Sequence, residues 1–509
     1  MMESLENSAS SVLPRGVRRA LEAMRANPER DWSVRDLAEV AGVSSRTLQR
    51  QFREFSGQAP RAALSDIRFA AARRELLQSG PTTRVMDVAL RCGFPHFGRF
   101  SVAYRRRYGE TPSQTLKRQE MFADALVSVP SFVMPAVDQP TVVLGPIEAE
   151  AEHQEAVGGL ADELAIALTR AGVTVSRHGG LARYQLTGAL RGTGRQTRLT
   201  LRLIERETGR HLSAHRSDGT AGDDFASEQF VTRIAAAFQP CLRLAEINRA
   251  QRKAERDLSP HDLALRAMPG VLSFDADGNS RALDLLERAR ERNPDDALAT
   301  ALEAWAHSQR VVYHFTSTPQ QERSRGADLA TRARTLAGDA TVLAVLGNAL
   351  ALLHDVETAD LVIRKALAVD GGSAWAWSRS GWLDLYRGDA ESAIERFKIA
   401  LDLAPDDALA FNNFVGIGCA HFDAGNYAEA ARWQERALAE HPSALWVHRT
   451  LCPAHLLAGE GAAATRSLGA LRLRYPNLTL SEVKQNFPPL RASYRDRMIG
   501  ALQEAGLAA

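Results

Sequence analysis

Arg46, Gln49 and Arg50 stand within five residues of one another in GVSSRTLQRQFREF (42–55), a spacing that gathers them on one side of a helix. Downstream, GFPHFGRFSVAYRRRYGETP (93–112) offers His96, Phe97, Arg99 and Ser101 at the start of a second helix, then Arg105, Arg106 and Arg107. A guanidinium fork can hydrogen-bond O6 and N7 of guanine together, and a glutamine amide can do the same with adenine. Hydroxyls and further arginines suit phosphate oxygens. On that chemistry Arg46, Gln49, Arg50, His96, Phe97, Arg99 and Ser101 are the candidates to read bases. Ser44, Arg53, Arg105, Arg106 and Arg107 are the candidates to hold phosphate. The partner this chemistry asks for is double-stranded DNA.

Other chemistries find less material. No nucleophile–base pair, Walker loop, metal-ligand cluster or pair of cyclase-like aspartates emerges, so neither an enzyme nor a cofactor is expected. Cys92, Cys241, Cys419 and Cys452 form no Cys-x-x-Cys pair and read as small apolar residues in a reducing compartment. Gly192-Thr193-Gly194 falls between two strand patterns and reads as a hairpin turn rather than a phosphate cradle. His178, His211 and His215 fit no familiar metal spacing. The N-terminus lacks a signal-peptide pattern, and the apolar stretch Ala125–Val137 is short and broken by Pro130 and Pro135. A cytoplasmic protein that meets no membrane is expected.

Side chains that read a duplex need short helices to hold them. Ser33, with Asp36 three residues on, suits the N-cap of a helix packed through Val34, Leu37, Ala38 and Ala41. Gly42 turns the chain and Ser44 caps the next helix, whose Leu48, Phe52 and Phe55 face inward. A linking helix runs from Pro60 to about Gln78. The scheme then repeats: Val85, Val88, Ala89 and Leu90 pack, Gly93 turns, and Phe94, Phe100 and Tyr104 anchor the second reading helix.

Residues 15–118 resemble the DNA-binding domain of AraC/XylS-type transcription regulators. Asp87, Val88, Ala89, Gly93, Phe94, Phe100, Tyr104, Tyr108, Gly109, Thr111 and Pro112 match the family pattern in order. The resemblance implies that the first helix reads through Arg46, Gln49 and Arg50, and the second through Phe97, Arg99 and Ser101. Pro95, Gly98 and Val102 depart from it, standing where polar residues are usual, which shifts the expected base specificity toward the first helix. Two reading helices joined by one linking helix predict a site of two elements about 10 bp apart.

Charge follows the same division. Residues 1–120 hold 21 basic against 13 acidic residues, leaving 42 and 48 for the rest of a chain whose net charge is +2. A basic head on an acidic body places the phosphate partner at the head.

Beyond an expected linker at 119–140, TVVLGP, VTVSR, YQLTGALR, TRLTLRLIER and RHLSAHRS read as strands, with helices over 157–172 and from Phe225 to about Glu246. Gly159-Leu160-Ala161-Asp162-Glu163-Leu164, the TGALR strand and Leu203-Ile204 with Thr208-Gly209 resemble a TolB-like module, which implies a non-catalytic accessory role. From about 261 a period of 34 sets in: Gly347 and Gly381, Ala359 and Ala393, and Ala366 and Ala400 are each 34 apart. Trp377, Gly381, Gly388, Ala393, Phe397, Ala400 and Pro405 fill the tetratricopeptide pattern, and five or six repeats are expected. Such repeats bind peptides or protein segments along a concave face. Most of the tryptophans Trp305, Trp375, Trp377, Trp382, Trp433 and Trp446 are expected in the core.

The fold class expected is mainly α and multidomain. A disordered 1–14 leads into an all-α double helix-turn-helix head (15–118), a small α/β middle domain (141–250), an α-solenoid tail (261–480) and a helical cap (481–509). The function expected is sequence-specific DNA-binding regulation, with the body sensing, binding protein or pairing copies as a homo-oligomer. The alternative is a repeat adaptor whose head binds DNA without specificity.

Overall fold

The computed structural model describes residues 14–56, 59–78, 84–108, 111–116, 139–150, 153–176, 182–193, 196–220, 225 and 227–508. The chain divides into two compact units, 1–133 and 134–509. The expected disordered N-terminus and most of the expected linker lie outside the described residues.

Among the described residues the first unit is all α. Helices α1 (Arg15–Ala26), α2 (Val34–Ala41), α3 (Ser45–Ser56), α4 (Pro60–Gln78), α5 (Val85–Arg91) and α6 (Phe97–Tyr108) build two separate cores. Helix α4 serves both. Its Ala63, Leu64 and Ile67 join Leu37, Leu48 and Phe52 in one core, and its Phe69, Ala72 and Leu76 join Val88, Phe100 and Tyr104 in the other. One expectation fails here: Leu90 is 54% exposed and does not pack. The inward stripe of α5 is Val85, Val88, Ala89 and, just past its end, Cys92, so position 90 falls on the opposite side.

In the second unit, strands β1 (Thr141–Ala149), β2 (Thr174–Ser176), β3 (Tyr184–Thr193), β4 (Gln196–Glu205) and β5 (His211–Thr220) form one sheet in the order β2-β1-β3-β4-β5. The first three are parallel and the last three antiparallel. Strand β1 continues past Pro146, where the expected strand ended; a register shift between Leu144 and Ile147 accommodates a residue with no N–H to donate. Gly192 and Thr193 pair with Thr197 and Gln196, as the hairpin reading required.

Helices α7 (Gln154–Arg170) and α8 (Glu228–Arg252) cover the sheet. Helix α8 outruns its expected end at Glu246, and its far side meets the repeats. Its Ala236 packs with Ala374, Leu403 and Ala404, and its Gln239 and Arg243 reach Asp370 and Asp407 at 2.8 Å each. The α/β module and the repeats therefore share one helix and lie within one compact unit.

Six helix pairs follow: α9 (Pro260–Leu272) with α10 (Ala276–Arg292), α11 (Ala297–Val312) with α12 (Pro319–Leu336), and α13 (Ala340–Leu352) with α14 (Val356–Val369). The other three are α15 (Ala374–Arg387) with α16 (Ala390–Leu403), α17 (Ala410–Asp423) with α18 (Tyr427–Glu440), and α19 (His448–Leu457) with α20 (Gly461–Arg474). Helices α21 (Leu480–Gln485) and α22 (Ala492–Glu504) end the stack. Trp305, Trp375, Trp382 and Trp446 are buried, while Trp377 and Trp433 are half-buried.

Small residues set the helix spacing. A Cβ on Gly381 would stand 2.8 Å from the Phe397 ring, and one on Gly416 would clash with the same ring from the next repeat. Gly416→Val is therefore expected to destabilise the chain by about 1–3 kcal/mol, because the ring has a backbone on either side of it. Gly469→Ala in α20, with open space around the added carbon, is expected to stabilise by up to about 1 kcal/mol. Urea unfolding midpoints check both, and equal shifts in the two variants would refute the packing argument.

Candidate nucleic-acid interface

The first reading helix is built by local chemistry. Ser33 and Asp36 form a reciprocal capping box on α2, with N–H···O distances of 3.1 and 3.0 Å. The Ser33 hydrogen bonds hold the Asp36 carboxyl below the usual carboxylate range. Gly42 ends α2 at φ +70°, a left-handed conformation that costs glycine little. Ser44 then caps α3, its Oγ accepting the Thr47 N–H at 3.2 Å and lying 2.8 Å from Thr47 Oγ1. Leu48 and Phe52 are fully buried. Arg46, Gln49, Arg50 and Arg53 are exposed on the other face, and the side chain of Phe55 lies outside the described ones.

The second helix stands on an aromatic ladder. Phe69–Phe94, Phe94–Phe100, Phe100–Tyr104 and Tyr104–Tyr108 have ring centroids 4.5, 4.7, 5.5 and 4.7 Å apart. Beyond the helix, Thr111 and Gln114 cap a last turn over 112–116. Its buried Thr115 lies 3.1 Å from the Tyr104 hydroxyl, which ties this turn to α6. His96, Phe97 and Arg105 are exposed and Ser101 is half-buried. Val102 is 72% exposed on the same outward side, and a Cβ on Gly98 would meet nothing within 4 Å. At Gly98 and Val102 the outward face of α6 therefore offers no side-chain hydrogen-bonding group. Arg99 and Arg106 belong to α6, but their side chains lie outside the described ones.

Arg107, expected near the phosphates, is exposed and also makes an ion pair within the head. Its Nη1 lies 2.5 Å from Asp66 Oδ1 and its guanidinium stands 5.8 Å from the Phe69 and Tyr108 ring centroids, pinning α6 to α4.

Sequence reasoning passed over one residue. Arg68 on α4 donates from Nε to Pro28 O at 2.7 Å and from Nη2 to Arg30 O at 2.9 Å, spanning from the linking helix to the α1–α2 loop. A Cβ at Gly93 (φ +80°) would stand 2.7 Å from that Nε, so the second turn closes against the same brace. Arg68 therefore ties the two halves together. In the sequence it was one arginine among several in SDIRFAAARREL, with no spacing to mark it.

Among the described residues no cluster of His, Cys, Asp or Glu could hold a metal, and His178 lies outside them. His215, half-buried on β5, is pushed below its ordinary pKa by burial and then by Arg233. The four cysteines are unpaired; burial and then Glu75 push the Cys92 thiol up to about 12. No helix among the described residues is long and apolar enough to cross a membrane.

The family model of the helix-turn-helix domain matches residues 37–118. The XylDLEGF operon transcriptional activator 2 of Pseudomonas putida is 34% identical over 127 residues, covering 23% of this chain and 80% of that protein. The probable thc operon regulatory protein of Rhodococcus erythropolis is 37% identical over 107 residues, 21% of this chain; the match spans only 32% of that relative's length. The solved structure of a probable AraC family transcriptional regulator from Rhodopseudomonas palustris CGA009 is 34% identical, over 21% of this chain and 98% of that one, with a TM-score of 0.20. Matches of this extent over the two helix-turn-helix units establish that the chain, through its head, belongs to the AraC family of DNA-binding transcription regulators.

Proposed function

We propose that the whole chain is a sequence-specific transcription regulator, with no enzymatic activity, whose body sets when the head engages DNA. The observation that carries this is the face of α3. Arg46, Gln49 and Arg50 project from a helix that a serine cap and a fully buried Leu48–Phe52 stripe hold in place. Preorganised donors of this kind read guanine and adenine edges in a major groove. His96, Phe97, Arg99 and Ser101 at the start of α6 make the second, weaker reading, supported by the apolar stretch at Gly98 and Val102. Ser44, Arg53, Arg105 and Arg106 are the phosphate contacts, while Arg107 holds α6 onto α4. The α/β module, read as TolB-like, and the tetratricopeptide-like repeats form the sensory, protein-interaction or oligomerisation region.

Footprinting of the full chain across a genome tests the reading. Protection of discrete sites with two elements about one helical turn apart is the expected result. A second reading, an adaptor with a non-specific head, is favoured by the exposed Val102 alone. Binding that is sequence-indifferent and falls steeply with salt would select it over ours.

A further inference from the structure

Inside the repeats two arginines are buried without an acid. Arg379 on α15 is 6% exposed and Arg449 on α19 is 3% exposed. Arg379 donates to Asn348 Oδ1 at 2.7 Å, Asn412 Oδ1 at 2.6 Å and Ser378 Oγ at 2.8 Å. Arg449 donates to Val312 O at 2.7 Å and meets His314 Nε2 at 3.0 Å. Burial, and then Arg449 itself, push His314 down to about 3, so that imidazole is neutral and accepts. Every one of these partners is uncharged. Among the described residues neither guanidinium forms an ion pair.

That contrasts with the chain's habit. Arg243, Arg249 and Arg491 are also largely buried, and each has a carboxylate partner: Asp407, Glu246 with Asp262, and Asp423. Asp407, the acid whose field reaches Arg379, is itself occupied by Arg243 and by the Trp375 Nε1–H, both at 2.8 Å. A buried cation without a counterion is costly, and a fold keeps one only where something compensates it.

Both arginines line one small cavity of about 40 Å³ on the inner side of the stack. Helices α13, α15, α17 and α19 supply its wall, and the segment carrying Phe487, Pro488 and Leu490 closes it. That segment is anchored at one end by His354 Nε2 to Phe487 O, 3.1 Å, and at the other by the Arg491–Asp423 ion pair. Three donors of residues lining the cavity are left unused. Arg379 Nε, Arg449 Nε and Trp446 Nε1 are all buried with no partner. The space exceeds what one water needs and suits a group of a few heavy atoms.

We infer that the repeats enclose a binding site for a compact anion, a carboxylate or phosphate group, which Arg379 and Arg449 hold and to which Trp446 Nε1–H donates. Two guanidinium Nε–H groups and an indole N–H with no acceptor, in a wall that carries two positive charges, are complementary to the oxygens of such a group. This deepens the reading of the body as an input region by naming the chemistry of the input. Its test reads the repeats without DNA, so that failure here and failure of DNA recognition remain separate results.

The experiment is thermal unfolding of the full chain at constant ionic strength, with chloride replaced stepwise by inorganic phosphate or, separately, by acetate. A saturable rise in the unfolding midpoint is expected with at least one of them, as binding to the native state alone requires. A rise with phosphate only assigns a phosphate group, and a rise with acetate only a carboxylate. Arg449→Gln should weaken the response at least tenfold. Trp446→Phe keeps an aromatic ring, removes the N–H and should weaken it severalfold in a chain that still folds. The proposal is overturned if neither anion moves the midpoint relative to chloride. It is equally overturned if Trp446→Phe responds as fully as the unmodified chain.

Discussion

Replacing Arg46, Gln49 and Arg50 together by alanine is expected to lower the affinity of the full chain for its specific DNA site by about 100-fold or more. Each paired contact to a base edge contributes roughly 1–3 kcal/mol of discrimination, and three such side chains share the exposed face of α3. Binding to unrelated DNA should fall far less, since most of that affinity comes from phosphate contacts elsewhere on the head. The ratio of specific to non-specific affinity is therefore the quantity to measure, at fixed salt. Folding should be indifferent to the change, because none of the three is buried and the Ser44 cap and the Leu48–Phe52 stripe remain. An unchanged ratio would move the reading function off α3. The same titration on Arg50→Ala alone should relax preference at one position of the site.

Phe100→Ala is expected to cost about 3–5 kcal/mol, the range for truncating a large buried ring. Phe100 is 2% exposed, with Phe94 and Tyr104 rings on either side at 4.7 and 5.5 Å, so its removal opens a cavity inside the aromatic ladder. The loss should be largely local, because the head has two separate cores that share α4. Hydrogen exchange should accelerate in α5 and α6 while α2 and α3 keep their protection. The DNA footprint should shrink to the element read by α3. Equal acceleration in both halves would mean instead that α4 and the Arg68 brace make the head one cooperative unit.

Much of the head was legible in the sequence. Helix α4 was expected from Pro60 to about Gln78 and runs over Pro60–Gln78, because a first-turn proline and a following run of good helix formers are local signals. The capping box at Ser33 and the left-handed turns at Gly42 and Gly93 are equally local. Leu90 was misplaced because α5 is only seven residues long, too short for apolar spacing to separate one face from the other. The ion pair of Arg107 with Asp66 could not be read from the sequence, because the two are 41 positions apart. The period of 34 announced the repeats, yet it could not show that α8 would weld the sheet to them.

The sequence by itself determined which segments are helices and strands, where they cap and turn, and which arginines face outward on α3. Those properties depend on neighbours within about two helical turns, so periodicity and capping chemistry suffice to read them. Only the tertiary structure decided that Arg107 is a brace, that Arg68 joins the two halves, and that Arg379 and Arg449 share a cavity with no acid beside them. Burial and the absence of a counterion belong to a three-dimensional neighbourhood. For Arg379 it is assembled from Asn348 and Asn412, 31 and 33 positions away, and for Arg449 from Val312, 137 positions away.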